Sequence, residues 1–347
     1  MSRVVKIGDL EVGGGNPVRI KGMLKTPTTK RESLVKEAMR LWEEGAEAIR
    51  VAVKEKKDVE VAKFLKKYVK VPLVADIHFH YKLGLLVAEA GFDALRLNPL
   101  NIYKKKEVVE TIRAAKKSNL SIRIGVNSGG FKREFASEEA LAKKMVETVE
   151  EYLKIFEKEN FFDIIISLKS SDVLTTIKAN QIFRKKFDYP LHIGVTATGP
   201  FLQGVVKSSL AAGVLLSAGV GDVIRVSLTT PSFWEIKIAR FIVQFMKKRR
   251  FFSEIISCPL CSRSEVNLIR RVNEFQRVVD KLEKEGCSLP AKIAIMGCVV
   301  NGPGEAYQAD IGVAFGKGKA AIFKKGKILG YTNEENLIED LIRYFNN

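Results

Sequence analysis

The stretch VPLVADIHFHYKLGLLVAEAGFDALRLNP, residues 71–99, contains one complete strand–helix–strand unit. Apolar and β-branched residues run through VPLVADIHF (71–79) and again through DALRLNP (93–99), and a helical pattern separates the two runs. A strand that is followed by a helix and a second strand is typical of a parallel βαβ unit. The fold of the surrounding chain therefore depends on how often this unit recurs.

The same alternation recurs through the first two-thirds of the chain. The other strand-like runs are VRIKGML (18–24), EAIRVAV (47–53), SIRIGVN (121–127), FDIIISLK (162–169), PLHIGVT (190–196) and DVIRVSLT (222–229). Amphipathic segments such as RESLVKEAMRLWEEGA lie between them. Eight such units predict a TIM (β/α)₈ barrel, with a doubly wound α/β sheet as the alternative. The GGG near residue 13 is not a Rossmann fingerprint, because no helix follows it at the required place.

A second, smaller domain follows the barrel. After FFSEIIS (251–257) comes one long helical pattern, then the strand-like KIAIMG and IGVAFGKGKAAIFKKGKILG, and then a last helix. Strands and turns that bunch after a helix are typical of a small α+β domain. We place the boundary in the basic segment MKKRR, which gives domains of residues 1–248 and 249–347.

The composition is that of a globular protein. Of the 347 residues, 46% are hydrophobic and 28% are charged. The first residues, MSRVVKIGDLEVGGG, contain no apolar core of a signal peptide, and no apolar run reaches the ~18 residues of a membrane span. Four cysteines are too few for a disulfide scaffold. We therefore expect a soluble protein of the reducing cytoplasm with no membrane association.

The charge is strongly positive, with 58 Lys and Arg against 40 Asp and Glu, a net charge of +18. Such a field attracts nucleic acids, phosphorylated metabolites or acidic protein partners. Most of the lysines lie on predicted helix faces, where they serve solubility. No recognition helix, zinc-finger spacing or RNP motif is present, so we do not expect nucleic-acid binding.

Polar residues are concentrated at the carboxyl ends of the predicted strands, where barrel enzymes have their active sites. They are Arg50, Asp76, His78, Arg96, Asn98, Arg123, Asn127, Lys169, Arg225 and Ser227. Unpaired buried charges are costly, and pairing with Asp76 or other acids would explain one or two of the arginines. Four arginines and a lysine are better explained by an anionic ligand. Because guanidinium groups bind phosphate oxygens in pairs, this set predicts a diphosphate.

The three histidines differ in their expected roles. His78 lies in ADIHF beside Asp76, at the end of a predicted strand, and is a candidate for function. His80 and His192 are expected to be incidental.

The cysteines suggest a metal or redox site. Cys258 and Cys261 form a CxxC in SCPLCSR, and Cys298 follows in MGCVVNGPGE. A CxxC serves as a redox disulfide, as half of a zinc site or as part of an iron–sulfur site. Zinc and cubane clusters both take four ligands, and Cys287 and Glu305 are the candidates for the fourth.

A thioredoxin-like dithiol is less favoured, because CPLC does not open a helix after an early strand and because Cys298 would be unexplained. We expect Cys287 to be an ordinary, partly buried residue.

SCPLCSR followed by MGCVVNGPGE resembles the cluster motif pair of the 4-hydroxy-3-methylbut-2-enyl diphosphate synthases, the [4Fe–4S] enzymes of the non-mevalonate isoprenoid (MEP) pathway. The segments VPLVADIHF, LRLNPLNI, IRIGVN, SLKSSD, LHIGVT and GDVIRVSLT are similar to that family in the same order. The resemblance runs from about residue 18 to the end of the chain.

The resemblance implies a substrate-binding TIM barrel joined to a smaller [4Fe–4S] cluster domain, in a homodimer in which the cluster domain of one subunit closes the barrel of the other. The implied reaction opens the ring of 2-C-methyl-D-erythritol 2,4-cyclodiphosphate. It removes a hydroxyl group with two electrons from ferredoxin or flavodoxin, which yields (E)-4-hydroxy-3-methylbut-2-enyl diphosphate.

The resemblance also implies roles for single residues. Cys258, Cys261 and Cys298 would bind three irons of the cluster, and Glu305 would hold the fourth through a displaceable carboxylate. The diphosphate would be held by Arg50, Arg96, Asn98, Arg123, Asn127, Lys169, Arg225 and Ser227. Asp76 and His78 would line the same cavity, Asn301 of NGPGE would also bind substrate, and the catalytic residues would be His78 and Glu305.

The chain departs from the family pattern at three places. The family motif GVTEAG reads GVTATG, with Ala197 in place of the acid, QSMT is replaced within IKGMLKT, and LTGDP becomes LTTPS. Proton delivery is therefore either impaired or rerouted through His78 or, less favourably, through Glu235 in the loop region after the last barrel strand. The alternatives are a cluster-dependent reductase of another diphosphate and a basic zinc-binding interaction protein.

Overall fold

The computed structural model describes residues 1–264, 266–299, 304, 306–316, 318–333 and 336–345. It divides into two compact units, Met1–Arg250 and Phe251–Asn347. The sequence pattern places the domain boundary between residues 248 and 249.

A short antiparallel hairpin opens the first unit, with strands β1 (Val5–Ile7) and β2 (Leu10–Val12). Its buried residues pack against the barrel residues Val74, Ala94, Ile165 and Val223. Because Ala94 and Val223 are the first residues of their strands, the hairpin covers the amino-terminal end of the barrel. The hairpin lies ahead of the first predicted strand and was not predicted.

Eight parallel strands form the barrel, in the order β8-β7-β6-β5-β4-β3-β10-β9. They are β3 (Arg19–Met23), β4 (Ala48–Ala52), β5 (Leu73–Asp76), β6 (Ala94–Leu97), β7 (Ser121–Asn127), β8 (Ile164–Lys169), β9 (His192–Ile193) and β10 (Val223–Ile224). A parallel bridge between Ile166 and Leu191 joins the two edges of the sheet. The predicted TIM barrel is confirmed, and the doubly wound sheet is not formed.

Helices connect the barrel strands. They are α1 (Arg31–Glu43), α2 (Val61–Leu65), α3 (Tyr81–Glu89), α4 (Lys105–Lys117), α5 (Glu138–Lys158), α6 (Val173–Lys186), α7 (Phe201–Ser217) and α8 (Phe233–Phe245), with 3₁₀ turns at Lys56–Asp58 and Ser128–Gly130. In α4 the buried residues recur at helical spacing, at Val108, Thr111, Ile112 and Ala115. Within the described residues, no helix combines the length and apolar character that crossing a bilayer requires.

The second unit is a mixed sheet with helices. Its strands follow the order β11-β12-β13-β14-β15, the first three parallel and the last three antiparallel. The elements are β11 (Glu254–Ser257), α9 (Leu268–Lys284), β12 (Lys292–Met296), β13 (Ile311–Gly316), β14 (Lys319–Lys324), β15 (Lys327–Thr332) and α10 (Leu337–Arg343). The apolar face of α9 packs on this sheet through Leu268, Phe275 and Val279. The predicted α+β class of this part of the chain is confirmed.

Candidate active site

Asp76, the last residue of β5, lies between two arginines. Its Oδ2 is 3.5 Å from Arg50 Nη1, and its Oδ1 is 3.2 Å from Arg96 Nη1. Burial alone would raise the pKa of Asp76, but the charges of Arg50, Arg96 and then Arg123 hold it well below its usual range. Burial also lowers the pKa of Arg50, to about 10. Asp76 is thus the shared counter-ion of two barrel arginines.

Two other cations contact neutral groups. Arg123 Nη1 is 2.9 Å from His192 Nδ1, and Lys169 Nζ donates to the carbonyl oxygen of Ile193 at 3.2 Å. Neither forms an ion pair with a carboxylate among the described residues. Burial, followed by the charges of neighbouring cations, lowers the pKa of both Arg123 and Lys169. Neither positive charge is therefore paired directly with a carboxylate of this part of the chain.

The second buried acid of the site is Glu235, which is 1% exposed. It accepts hydrogen bonds from the backbone N–H of Leu228 at 2.8 Å and from Arg225 Nη2 at 3.3 Å, and Lys25 Nζ lies 2.9 Å away. The sequence places Glu235 in a loop region, but it lies in the first turn of α8. With three donors on its carboxylate, Glu235 is suited to positioning Arg225 and less suited to donating a proton.

Several buried donors of the barrel have no acceptor. The Nε atoms of Arg96, Arg123 and Arg225 have no hydrogen-bond partner within the described residues. Buried polar groups are normally paired, so orphan donors indicate a missing acceptor. The barrel interior carries a surplus of positive charge, since Asp76 and Glu235 face Lys21, Arg50, Arg96, Arg123, Lys169 and Arg225. An anion fits this arrangement.

Two glycines make room for the cations. A Cβ atom at Gly125 would lie 3.1 Å from Arg96 Nε, and one at Gly194 would lie 2.9 Å from Lys169 Nζ and 2.3 Å from the carbonyl oxygen of Arg225. Gly194 also has a φ of +142°, which side chains rarely adopt. Larger residues at either position would displace a cation of the site.

The predicted amide and hydroxyl residues lie at the same ends of the strands. Asn98 follows β6, is 8% exposed and accepts a hydrogen bond from Leu100 N through Oδ1 at 3.1 Å. Asn127 ends β7 in register with Lys169 of β8. Ser227 follows β10, and its carbonyl oxygen accepts a hydrogen bond from the Thr198 hydroxyl.

His78 lies beside Asp76 in a left-handed backbone conformation, with a φ of +48°. Its Nδ1 is 3.2 Å from the carbonyl oxygen of Asp76, and the imidazole is 41% exposed. The His78 side chain is therefore partly open to solvent, beside the buried arginines and lysine of the barrel. Asn301 and Glu305, predicted for substrate and iron binding, lie outside the described residues.

Sequence reasoning missed three polar residues of the barrel. Lys21 of β3 is 3% exposed, and His192 of β9, expected to be incidental, is fully buried and bonded to Arg123. Lys25 pairs with Glu235. Lys21 could have been found from the sequence, because it is a charged residue within the apolar run VRIKGML, as the arginines are within theirs. Nothing in the sequence reveals that Arg123 of β7 contacts His192 of β9.

Three of the four cysteines of the second unit follow the carboxyl ends of two neighbouring strands. Strands β11 and β12 are parallel neighbours, with Ser257 in register with Ile295. Cys258 directly follows β11, and Cys298 lies two residues beyond the end of β12. The backbone N–H of Gly297 lies 3.4 Å from Cys258 Sγ. The CxxC and the third cysteine are therefore brought together at the carboxyl ends of adjacent strands.

This donor set fits an iron–sulfur cluster. Within the described residues no three His, Cys, Asp or Glu side chains gather around a single point, and no disulfide joins the four cysteines. A cluster binds its thiolates through separate irons, so its ligands need not converge as those of one zinc ion do. Cys258 and Cys298 are half-buried and Cys261 is exposed at the sheet edge.

Cys287 lies near the amino-terminal ends of β11 and β12, opposite the carboxyl ends that carry the other cysteines. Cys287 is exposed, so the expectation of a partly buried residue is wrong. It follows α9, whose end lies at the start of β11, where Ser253 bonds to Glu283 and to the carbonyl oxygen of Pro290. It is therefore separated from the other three cysteines.

A parallel barrel with an anion-binding set at its strand ends, joined to a unit with a thiol-rich edge, defines a two-part redox enzyme for phosphorylated substrates. Residues 2–240 match the family described as the GcpE TIM-barrel domain, and residues 254–347 match the GcpE protein C-terminal domain. The chain belongs to this family, the flavodoxin-dependent 4-hydroxy-3-methylbut-2-enyl diphosphate synthases, which are oxidoreductases.

The relatives support this assignment over the whole chain. The 4-hydroxy-3-methylbut-2-en-1-yl diphosphate synthase (flavodoxin) of Thermodesulfovibrio yellowstonii is 43% identical, over 98% of this chain and 97% of its own length. That of Caldanaerobacter subterraneus subsp. tengcongensis is 41% identical, over 99% of this chain and 96% of its own. Membership of this family implies an iron–sulfur-dependent enzyme with a small-molecule substrate and an electron donor.

Solved structures share the barrel fold alone. Dihydropteroate synthase from Stenotrophomonas maltophilia has a TM-score of 0.53 at 14% identity, over 70% of this chain and 98% of that chain. Type I 3-dehydroquinate dehydratase from Clostridium difficile has a TM-score of 0.52 at 15% identity, over 72% and 99%.

Asp76→Asn should destabilise the protein strongly, because it leaves Arg50 and Arg96 without their shared counter-ion. Removing one partner of a buried ion pair costs about 3–5 kcal/mol. Because folding depresses the pKa of Asp76, its contribution is present above its unfolded pKa of about 3.9 and is lost as the pH falls through the folded value. Urea unfolding at pH 7 and in acid measures this. Exposed Asp9→Asn is the control, and equal stability of both variants at pH 7 contradicts the ion-pair assignment.

Proposed function

We propose that the barrel binds 2-C-methyl-D-erythritol 2,4-cyclodiphosphate and that the protein reductively opens and dehydroxylates it to (E)-4-hydroxy-3-methylbut-2-enyl diphosphate, in isoprenoid biosynthesis by the MEP pathway. The observation that carries this proposal is the pair of orphan guanidinium Nε donors of Arg96 and Arg225, at a site with a surplus of positive charge. A cyclic diphosphate supplies both the missing acceptors and the negative charge.

The barrel residues divide into binding and positioning groups. Arg96, Arg123, Arg225 and Lys169 donate to the diphosphate oxygens, and Asn98, Asn127 and Ser227 complete the polar lining. Asp76 orients Arg50 and Arg96, and Glu235 orients Arg225, since each carboxylate contacts the guanidinium it positions. Preorganised cations of this kind hold the substrate without reorganisation during the reaction.

We assign a [4Fe–4S] cluster to the cysteine edge of the second unit. Cys258, Cys261 and Cys298 would hold it, with Glu305 as the fourth ligand and Asn301 as a substrate contact; these last two roles rest on the match of NGPGE to the family motif. When bound, such a cluster supplies single electrons and a Lewis-acidic iron.

The electron donor is an acidic carrier protein. The relatives are named for flavodoxin, and ferredoxin carries the same kind of charge. A net charge of +18 favours docking of either. Turnover measured against the concentration of flavodoxin and of ferredoxin distinguishes the two: the physiological class of donor should support turnover at the lower donor concentration.

We further propose a homodimer. Leu202, Val206, Leu210 and Val214 recur every four residues along α7 and are 73, 49, 55 and 43% exposed. Such an apolar stripe is typical of an interface between copies. Sedimentation velocity measures the mass, and a strictly monomeric protein contradicts this part of the proposal.

The test of the proposed function is anaerobic turnover of the cyclodiphosphate by the brown, cluster-loaded protein with a strong one-electron donor. Formation of the linear hydroxybutenyl diphosphate supports it. Turnover of a different diphosphate alone would favour the second reading, a relative with another substrate. A colourless preparation that contains zinc and no iron would favour the zinc-binding interaction protein.

Lys169→Met should weaken pyrophosphate and substrate binding by about ten- to a hundredfold, because a charge-assisted hydrogen bond contributes about 1.5–3 kcal/mol. Lys169 is a suitable choice because its hydrogen-bond partner among the described residues is a backbone carbonyl, so its removal leaves none of their carboxylates unpaired. Titration calorimetry of the full-length protein measures the affinity. Exposed Lys36→Met is the control, and unchanged affinity in Lys169→Met makes this lysine structural.

Cys258→Ser, Cys261→Ser and Cys298→Ser should each lose iron, because each removes a thiolate from the carboxyl-end edge. Cys287→Ser is the matched control from the opposite ends of the same strands and should keep its iron. Iron content and absorbance near 400 nm of anaerobically purified protein measure the outcome. Full iron in Cys298→Ser, or loss confined to Cys287→Ser, would overturn the ligand assignment.

Ala197→Glu tests proton supply. Ala197 is exposed in the loop after β9 and has a φ of +50°. Because alanine already has a Cβ atom in this left-handed conformation, its replacement by glutamate adds no new backbone strain. If proton delivery is impaired, the acid should raise turnover by up to about 10²–10⁴ with little change in substrate affinity.

If delivery is rerouted, Ala197→Glu should change little and His78→Asn should abolish turnover, since an imidazole can relay a proton and a carboxamide cannot. Glu235→Gln is the comparison, because Glu235 is occupied by three donors. Ordinary turnover that survives both His78→Asn and Glu235→Gln is the result that would contradict the idea.

A further inference from the structure

The barrel contains a second polar site, on the amino-terminal side of the cationic set. It is an enclosed cavity of about 10 Å³, whose apolar lining includes Ile7 of the hairpin. Its polar lining residues are Lys21, Ser121, Arg123 and His192. Ser121 and His192 are the first residues of β7 and β9, so the cavity lies at the opposite end of the strands from Asn98, Asn127 and Lys169.

All four polar residues are deeply buried. Lys21 and Arg123 are 3% exposed, Ser121 is 1% exposed and His192 is fully buried. Ser121 Oγ, Arg123 Nε and His192 Nε2 have no hydrogen-bond partner within the described residues. Three orphan polar atoms around one small cavity indicate a ligand that contacts them together.

The lining presents donors. A guanidinium can only donate, so Arg123 Nη1, 2.9 Å from His192 Nδ1, makes Nδ1 the acceptor and leaves the imidazole proton on Nε2. Arg123 Nε and the Lys21 ammonium are donors as well. The lining carries no carboxylate among the described residues. Only the Ser121 hydroxyl can both donate and accept.

The size and the charge select the ligand. About 10 Å³ of free volume is close to the minimum that holds one water-sized particle, so sulfate, phosphate and diphosphate are too large. A chloride ion is somewhat larger than a water molecule, and a small shift of the flexible Lys21 side chain accommodates it. A water molecule would leave both of its hydrogens with few acceptors and would not compensate two cations. A monoatomic anion accepts from every donor and neutralises one charge.

We propose that this cavity binds one halide ion, chloride under cellular conditions. The ion accepts hydrogen bonds from Lys21, Arg123 Nε, His192 Nε2 and the Ser121 hydroxyl. Burial, and then the charge of Arg123, lowers the pKa of Lys21 well below its ordinary value, and an adjacent anion favours the protonated amine. This site lies apart from the strand ends that carry Asn98, Asn127 and Lys169, so the proposal does not rest on the proposed reaction.

The first test locates the ion directly. Crystals of the full-length protein grown with sodium bromide should show an anomalous bromine peak within the barrel cavity, among Lys21, Ser121 and His192. A peak in the cavity supports the proposal. A cavity that contains only a water oxygen at molar bromide overturns it, whatever the catalytic activity of the protein.

The second test measures binding in solution. Replacing sodium gluconate by sodium chloride at constant ionic strength should raise the unfolding midpoint saturably, by about 2–4 °C or more. Saturating pyrophosphate should leave this shift in place, since it occupies the other end of the barrel. Lys21→Met should lose the chloride dependence, and Lys36→Met should keep it. A midpoint that is the same in both salts, or a dependence that survives in Lys21→Met, contradicts the proposal; if Lys21→Met does not fold, the wild-type salt comparison and the bromide peak decide.

Discussion

The structure depends on keeping more positive than negative charge inside one barrel. Two carboxylates, Asp76 and Glu235, each contact two cations, and their positions determine where the guanidinium groups point. Burial weakens the charged state of Arg123 and Lys169, so the empty barrel holds these groups at a cost in stability. An anionic substrate removes that cost, because each new contact replaces repulsion between cations with attraction.

The barrel could be predicted where its strands are long and apolar. Runs such as SIRIGVN and FDIIISLK correspond to β7 and β8, whereas the seven- and eight-residue runs PLHIGVT and DVIRVSLT contain only the two-residue strands β9 and β10. The hairpin was missed, since three-residue strands carry too little alternation to be recognised. Charges within apolar strands predicted the cationic set, because such charges require partners.

The remaining polar residues could not be predicted for physical reasons. Arg123 and His192 are 69 positions apart, and their contact depends on the closure of the barrel across β7, β8 and β9. Glu235 could have been placed in a helix, since Ser232 and Glu235 form the S-x-x-E pattern of a helix start. What the sequence does not reveal is that the Glu235 carboxylate accepts the backbone N–H of Leu228, which ties α8 to the segment after β10. In the second unit, motif spacing predicted the three cysteines, and the parallel register of β11 and β12 explains why they meet.

The hairpin at the amino-terminal end makes the barrel accessible from one side only. Ile7 of the hairpin is 2% exposed and lines the small cavity on its amino-terminal side, and the barrel arginines close the cavity on its other side. A small ion that enters during folding therefore leaves only when the hairpin opens or the arginines separate, and both are local unfolding events. The contents of the cavity would then exchange on the timescale of those openings rather than by diffusion. Replacing one halide by another would therefore need an incubation long enough for those openings to occur, and that time sets how long the protein must equilibrate in each salt.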